Sequence, residues 1–251
     1  HNCLVGSEMC IRDSVRIIHT GGTIASKVDY KTGAVIAKFE PEELVNTIPE
    51  LAQIANIDAV KLGNMFSDDI RCQHWNKMID ATKQAFDDGC NGVVITHGTD
   101  TLHITSAAMC FAWSGEGKAP PGRIALVGSQ RSSDRGSSDA SENLISAVYW
   151  AANGPNPGAV RGDSAVVVMH TSSHDGTCSI QPGTGVRKLH STRRDAFIYN
   201  GNTIIARTEI GTPGMTTGNN KSVSVSTVVS LSAGNEIKFG ALTTGGSTIY
   251  L

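Results

Sequence analysis

Short apolar runs alternate along this chain with longer segments in which apolar residues recur every three or four positions. The runs are rich in β-branched residues and are bounded by glycine or polar residues, a pattern that predicts strands. We place these strands at residues 15–18, 57–62, 93–95, 124–127 and 165–169. The longer segments predict helices, because apolar positions three, four and seven apart lie on one helix face.

Three helices are predicted most clearly between these strands. The first ends at Gly89 and has on one face Trp75, Met78, Ile79, Thr82 and Phe86. The second covers about residues 101–113. The third covers residues 139–154 and begins with Asp139 and Glu142 at the spacing of a capping box. This alternation predicts an α/β fold, a three-layer, mostly parallel sheet with helices on both faces.

The two ends of the chain depart from this alternation. Residues 1–14 have neither a helical nor a strand period, and we interpret them as a non-native leader. Residues 199–251 form an irregular Ser/Thr-rich tail, in which KSVSVSTVVSLSAG alternates with a period of two. We therefore predict one α/β domain over residues 15–198, followed by an atypical tail of a few strands.

Composition and charge exclude several classes of function. The 251 residues are 39% hydrophobic and 18% charged, which is typical of a globular protein, and the net charge is −2. Such a chain has no general attraction for nucleic acid or for an anionic membrane. The sequence lacks an apolar run of the ~18 residues that a membrane helix needs, and it lacks a signal-peptide layout. We expect a cytoplasmic protein with reduced thiols, because the six cysteines form no CxxC pair.

The carboxyl ends of the predicted strands, where parallel sheets bind ligands, carry glycines, hydroxyls and carboxylates. Thr23 follows two glycines in a position that suits a nucleophile, although a turn with a capping threonine is the alternative. Thr99 and Asp100 follow the third strand and could instead cap the next helix. A threonine nucleophile needs a base, and a lysine with a lowered pKa can serve. Lys188 is the candidate, and a solvated basic run over residues 187–194 is the alternative.

Other polar residues give weaker signals. The histidines form no HExxH pattern, and most suit core positions better than metal ligation, so we predict no metal site. Arg131 and Arg135 lie in a loop dense with serine and aspartate. Local ion pairing is the ordinary explanation for these arginines, and a phosphate cradle is the alternative.

The segments TGGTIAS, at residues 20–26, and THGTDT, at residues 96–101, resemble the two signature motifs of the L-asparaginase family of amidohydrolases. The resemblance implies a covalent mechanism, in which a threonine attacks a side-chain carboxamide, ammonia leaves and water releases the acid. It implies that Thr23 and Thr99 are the two loop threonines, Asp100 the carboxylate and Lys188 the base that activates Thr99. Which threonine attacks first stays open.

The same resemblance implies a set of substrate-binding residues. Backbone N–H groups around Gly22 and Gly98 would suit an oxyanion. Ser67 and Asp68 match the family's substrate-binding pair, but asparaginases have Gln, and their relatives Glu, where this chain has Asp68. That departure changes the reach of the side chain and hence the fit of the substrate. Tyr30 resembles the tyrosine of the family's mobile lid.

Two further segments, SSDRGSSDA and GVRKLHSTRRDAF, resemble one branch of the family, the D subunits of archaeal glutamyl-tRNA(Gln) amidotransferases. That resemblance implies ammonia release from glutamine, or asparagine, for an E subunit that converts Glu-tRNA(Gln) to Gln-tRNA(Gln). It implies no cofactor in the chain itself, with ATP and Mg used by the partner subunit, and a homodimer when the protein is complete. The family's C-terminal domain is not recognisable, so we expect the 251 residues alone to be inactive.

Two alternatives to this function stay open. A free L-asparaginase would carry out the same chemistry without a partner. A non-catalytic binder of an amino acid or nucleotide would keep the fold, but the combination of Thr23, Thr99, Asp100 and Lys188 argues against it. The residues by themselves, apart from the resemblance, predict neither the preference between glutamine and asparagine nor the oligomeric state.

Overall fold

Nine strands form the main sheet of the computed structural model, which describes residues 13–37, 41–115, 118–158, 162–199, 205–210, 223–231 and 235–240. Five parallel strands come first, in the spatial order β4 (Asn56–Met65), β1 (Ser14–Gly21), β5 (Gly92–Thr96), β6 (Arg123–Val127) and β7 (Val166–His170). Four antiparallel strands continue the sheet, β8 (Thr177–Pro182), β11 (Ala206–Ile210), β12 (Val223–Leu231) and β13 (Asn235–Gly240). Two-stranded ribbons pair β2 (Ser26–Val28) with β3 (Val35–Ala37), and β9 (Val186–Lys188) with β10 (Phe197–Tyr199).

Helices cover both faces of the parallel part of the sheet. On one face, α5 (Ala140–Asn153) packs on the central strands beside the short helices α1 (Pro41–Asn46) and α2 (Leu51–Ile54). On the other face lie α3 (Cys72–Asp87) and α4 (Leu102–Trp113). The predicted three-layer, mostly parallel arrangement is confirmed, and the five predicted strands and three predicted helices are all present.

The central strands are buried on both faces, which explains why the sequence shows continuous apolar runs there. Successive residues point to opposite faces, so that Ile17, Val94 and Val127 pack in the layer that contains α5. Ile18 and Ile95 pack in the layer that contains α3 and α4. Every residue of β5 is buried.

The order of the parallel strands creates a crevice at the carboxyl end of β1. The chain passes from β1 to β4 on one side and then to β5 on the other side of β1. In open α/β sheets, ligands bind where the strand order reverses in this way. His19 pairs with Thr96 in the register of β1 and β5, so the loops that follow these two strands leave the sheet side by side.

The boundary of the predicted leader is one point of difference. Strand β1 begins at Ser14, whose N–H donates to Asn91 Oδ1 at 2.9 Å, and the carbonyl of Asp13 accepts from the N–H of Asn56 at 3.0 Å. These polar residues belong to the fold through their backbone, which a hydrophobic pattern does not detect. Residues 1–12 lie outside the described residues.

The predicted capping box at the start of α5 is wrong. Asp139 occupies the N-cap position, but its side chain makes no capping hydrogen bond to the helix. Its carboxylate instead accepts the N–H groups of Gln130 and Arg131, and Glu142 accepts the N–H of Gly176 at 2.9 Å. Both carboxylates therefore bind N–H groups of loops at the edge of the sheet, and not the N–H groups at the start of α5.

Two expectations from the sequence concern the cysteines and helices that could cross a membrane. Among the described residues, the cysteines Cys72, Cys90, Cys110 and Cys178 are free thiols. None of the described helices combines the length and the apolar character that crossing a membrane requires.

Candidate active site

The loop after β1 and the loop after β5 touch each other through two glycines. Gly22 has a φ of 88°, and a Cβ added to it would lie 2.5 Å from the backbone N of Gly98. No side chain fits at that distance, and only glycine adopts this backbone without strain. The threonines that follow these glycines, Thr23 and Thr99, are thereby brought to the same crevice.

Thr99 is buried in this crevice, where only 6% of the residue is exposed. Gly128, at the end of β6, packs against its methyl group, because a Cβ on Gly128 would lie 2.9 Å from Thr99 Cγ2. On its polar side, Thr99 Oγ1 accepts a hydrogen bond of 2.8 Å from Lys188 Nζ. Burial and these two contacts fix the hydroxyl in one position.

Lys188 reaches this hydroxyl from the last position of β9. Its side chain is 8% exposed, and its Nζ also donates to Asp100 Oδ1 at 2.7 Å. Asp100 is 63% exposed on the outer side of this pair. The alternative of a solvated basic run therefore does not describe Lys188, although Arg193 and Arg194 do pair with nearby carboxylates.

Thr99 and Asp100 do not cap α4. The N-cap residue is Thr101, and its side chain makes no capping hydrogen bond. Its Oγ1 donates instead to the carbonyl of Ser67 at 2.7 Å, which joins the loop after β5 to the loop after β4. The motif THGTDT therefore uses its side chains for contacts between loops and for the Lys188 pair.

Ser67 and Asp68 lie beside the glycine contact, in a short 3-10 turn after β4. Ser67 is buried, and a Cβ on Gly98 would lie 2.9 Å from its Oγ. Asp68 is exposed. Tyr30 is 86% exposed in the turn between β2 and β3, so the structure leaves it outside the buried part of the crevice.

Thr23 is the first residue of a 3-10 turn, Thr23–Ala25, and hydrogen bonds from nearby serines hold this turn in place. Ser26 Oγ donates to the carbonyl of Gly22 at 2.9 Å, and Ser133 Oγ donates to the carbonyl of Ile24. Further along, the N–H of Val28 donates to Asp134 Oδ2 at 2.8 Å, which lowers the pKa of that carboxyl. The first loop is thus held against the loop after β6, and Thr23 stays partly exposed at the crevice.

Two buried histidines line the strand ends below the threonines. His19 Nδ1 lies 2.9 Å from Thr96 Oγ1, between β1 and β5. His97 Nδ1 lies 2.7 Å from the carbonyl of Gly98. Burial lowers the pKa of His97 to about 4, against the opposing effect of this hydrogen bond, so the ring is neutral at pH 7.

A polar cluster that no sequence pattern indicated lies next to Thr99, formed by residues 128–131 with Asp139 and Asn143. Asp139 is fully buried, and its two oxygens accept from the N–H of Gln130 at 3.1 and 3.0 Å. Asn143 Nδ2 donates to the carbonyl of Gly128 at 3.0 Å and to Asp139 Oδ2 at 2.9 Å. The helical spacing of Asp139 suggested a cap, so the sequence offered no signal for this role.

One group of possible metal ligands exists among the described residues. Ligand atoms of Glu142, His170 and Asp175 lie within 4.8 Å of one another. Protein partners engage them: His170 Nε2 lies 3.1 Å from Glu142 Oε2, and Asp175 pairs with Arg194. Burial raises the pKa of the Glu142 carboxyl, but hydrogen bonds from His170 and Gly176 outweigh it and leave that pKa below its ordinary value.

Comparison with protein families gives a match that covers most of the chain. Residues 14–219 match the family model described as "Asparaginase, N-terminal". The match begins at the first residue of β1 and extends beyond residue 198, where the sequence pattern predicted the domain to end.

Curated relatives and solved structures point to the same family. The chain is 46% identical over 194 residues to the D subunit of glutamyl-tRNA(Gln) amidotransferase from Methanococcus vannielii, covering 77% of this chain and 43% of the relative. It is 45% identical over 186 residues to the corresponding protein of Saccharolobus islandicus, covering 74% and 40%. The chain thus spans about two fifths of the length of these relatives.

Two solved structures share the fold. A probable cytoplasmic L-asparaginase from Campylobacter jejuni superposes with a TM-score of 0.63 at 26% identity, covering 78% of this chain and 55% of that one. The thermostable L-asparaginase from Thermococcus kodakarensis gives 0.60 at 29% identity, covering 82% and 58%.

Proposed function

We propose that this chain, which belongs to the asparaginase family, forms a site that releases ammonia from a side-chain carboxamide through a threonine nucleophile. The observation that carries the proposal is the hydrogen bond of 2.8 Å between Lys188 Nζ and Thr99 Oγ1, two side chains that are both nearly buried. A lysine held against a hydroxyl in this way is the arrangement that activates a weak nucleophile.

The chemistry follows from this pair. Neutral Lys188 accepts the hydroxyl proton while Thr99 Oγ1 bonds to the carboxamide carbon, and backbone N–H groups near Gly22 and Gly98 stabilise the oxyanion. The C–N bond then breaks, the proton passes from Lys188 to the leaving nitrogen, and ammonia departs. Water hydrolyses the resulting ester and frees the acid. Thr23 is the alternative nucleophile or serves the second step, since its loop meets that of Thr99 at the Gly22 contact.

Ser67 and Asp68 would bind the substrate at the edge of this crevice. The place of Ser67 against Gly98 supports this role, and Asp68 is the next residue of the same turn, with its side chain exposed. Tyr30 would act as a lid residue. Its exposure in the turn between β2 and β3 means that this role requires the ribbon to move toward the crevice.

The destination of the ammonia is the second part of the proposal. The identity of 46% with the D subunit of a glutamyl-tRNA(Gln) amidotransferase supports a role in supplying ammonia to an E subunit that amidates Glu-tRNA(Gln). That E subunit would use ATP and Mg, and the complete protein would form a homodimer in the cytoplasm. A free L-asparaginase is the second candidate, supported by the superposition on two solved L-asparaginases.

An assay of ammonia release separates these candidates. The extended chain, defined as the Methanococcus vannielii relative with its matching segment replaced by residues 13–199, would be supplied with glutamine or asparagine. Release that depends on the E subunit and Glu-tRNA(Gln) supports the amidotransferase. Release from asparagine that is equally fast without them supports the free asparaginase, and no release from either amide contradicts both.

A further inference from the structure

Residues 128–131 contact Thr99 on one side and the turn that follows Lys188 on the other. Gly128 packs on the methyl group of Thr99. Two residues later, Gln130 Nε2 donates to the carbonyls of His190 at 3.2 Å and Arg193 at 2.9 Å. These carbonyls lie in the turn that follows Lys188.

The turn after Lys188 closes a small hairpin. Lys188 pairs with Phe197 in the ribbon of β9 and β10, and the N–H of Leu189 donates to the carbonyl of Ala196 at 2.8 Å. The ribbon is separate from the main sheet, and side-chain hydrogen bonds help to hold it in place. Gln181 Nε2 holds one side by donating to the carbonyl of Phe197 at 3.0 Å, and Gln130 holds the turn.

Gln130 is itself held firmly. Its backbone N–H is shared by both oxygens of buried Asp139, and Asp139 also accepts from the N–H of Arg131 at 3.1 Å and from Asn143. Hydrogen bonds to a charged, buried acceptor are stronger than those between neutral groups. A chain of hydrogen bonds therefore runs from Asp139 through Gln130 to the turn that follows Lys188.

We propose that Gln130 is a positioning residue, which sets the place of Lys188 relative to Thr99 through the turn at residues 190–193. The inference rests on the proposed amide hydrolysis for its catalytic consequence, but the position of Lys188 can be measured without it. Displacing a catalytic group by about 1 Å can lower a rate by about 10²-fold. The loss of Gln130 is therefore expected to lower kcat while leaving the substrate pocket in place.

Gln130→Glu is the sharpest test, because the carboxylate has the size of the amide but faces two carbonyl oxygens and cannot donate to them. In the extended chain we expect kcat to fall by about 10- to 100-fold, with KM changed less than about threefold. Gln130→Met, which removes the donors without adding charge, should show a smaller loss and keeps the test open if the first variant fails to fold. Gln53→Glu, at an exposed position of α2, is the matched control and should leave kcat unchanged.

A double variant distinguishes positioning from general damage. In the Lys188→Met background, Gln130→Glu should lower kcat little further, since the residue on which Gln130 acts is already absent. An equal loss in both backgrounds would show that Gln130 supports the fold rather than Lys188, and would overturn the proposal.

A labelling experiment on the 251-residue chain needs no activity. Acetylation of Lys188, followed by mass spectrometry and normalised to exposed Lys77, should be slow in the parent chain because the Lys188 side chain is 8% exposed. Gln130→Glu should accelerate it several-fold. Labelling and kcat that both stay at the parent value would overturn the proposal. Faster labelling of the variant, together with no ammonia release from the extended chain that carries the parent sequence, would uphold the positioning role and reject the proposed function.

Discussion

Lys188 Nζ and Thr99 Oγ1, 89 positions apart in the sequence, lie 2.8 Å from each other at the crevice between β1 and β5. The lysine comes from a ribbon outside the main sheet, and the threonine follows a central strand. Two parts of the chain that are far apart in the sequence therefore place an amine beside a buried hydroxyl. Burial removes competing water, which strengthens the interaction between them.

Removing either member of this pair should abolish catalysis. In the extended chain, we expect Thr99→Val and Lys188→Met each to lower kcat by more than ~10³, because a nucleophile or its base is lost. Thr23→Ala should have a comparable effect. Lys83→Met, an exposed lysine of α3, is the matched control and should retain full activity.

The measurement is steady-state ammonia release, with circular dichroism to confirm folding. A variant of Thr99, Lys188 or Thr23 that keeps a tenth of the activity has been assigned the wrong role. The 251-residue chain, assayed beside the extended chain, is expected to show no turnover, because the relatives it matches have further residues in about three fifths of their length.

The contact between Gly22 and Gly98 should be as sensitive as the catalytic side chains. Gly22→Ala places a Cβ 2.5 Å from the N of Gly98 and forces an L side chain into a φ of 88°, so the two threonine loops must separate. Gly89→Ala is the matched control, since Gly89 has a φ of 90° but nothing within 4 Å of its added Cβ. It should carry only the backbone cost of about 1 kcal/mol.

We expect Gly22→Ala to lower kcat by ~10² or more and Gly89→Ala to lower the thermal midpoint slightly with near-normal kcat. The comparison uses ammonia release and thermal unfolding of the extended chain. Equal losses in the two variants would mean that backbone strain, and not the approach of the loops, explains the effect.

The sequence predicted the layers of the fold well because burial on both faces leaves long apolar runs and regular helix spacing. It also pointed to Thr99, Asp100 and Lys188, and the structure brings these three side chains together. The first two follow a strand in a glycine-rich motif, which marks the ligand edge of a parallel sheet. The catalytic roles of the three residues stay predictions. It could not predict the cluster around Asp139, because the same aspartate suits a helix cap equally well. Whether Asp139 binds the end of α5 or the loop after β6 depends on which backbone N–H groups the folded loop brings near. No local sequence pattern encodes that.

The four described thiols should differ sharply in reactivity. Burial raises the pKa of Cys178 to about 12, and it also raises the pKa of Cys110. Because the thiolate is the reactive form, native alkylation at pH 8 should modify exposed Cys72 and spare Cys178 and Cys110 until denaturant is added. Mass spectrometry of the 251-residue chain gives the order. Early modification of Cys178 would contradict its place in the core beneath α5.

His97 should make the stability of the chain depend on pH. Its pKa is about 4 in the folded state against an ordinary value of 6.5, so between these values the unfolded state binds the extra proton. The folded state is therefore favoured above pH 6.5, and this contribution is lost as the pH falls toward 4. The difference between pH 7 and pH 4.5 is expected to be about 2 kcal/mol in the free energy of unfolding.

His97→Asn isolates this contribution, because the amide can donate to the carbonyl of Gly98 as the ring does but does not titrate. Urea unfolding of the 251-residue chain at pH 7 and pH 4.5 gives the free energy for both proteins. Carboxyl groups titrate in each of them and cancel in the comparison, so the parent chain should lose about 2 kcal/mol more than the variant. Equal losses would show that His97 can take up a proton without disturbing the fold, and that the strand ends below the threonines admit water.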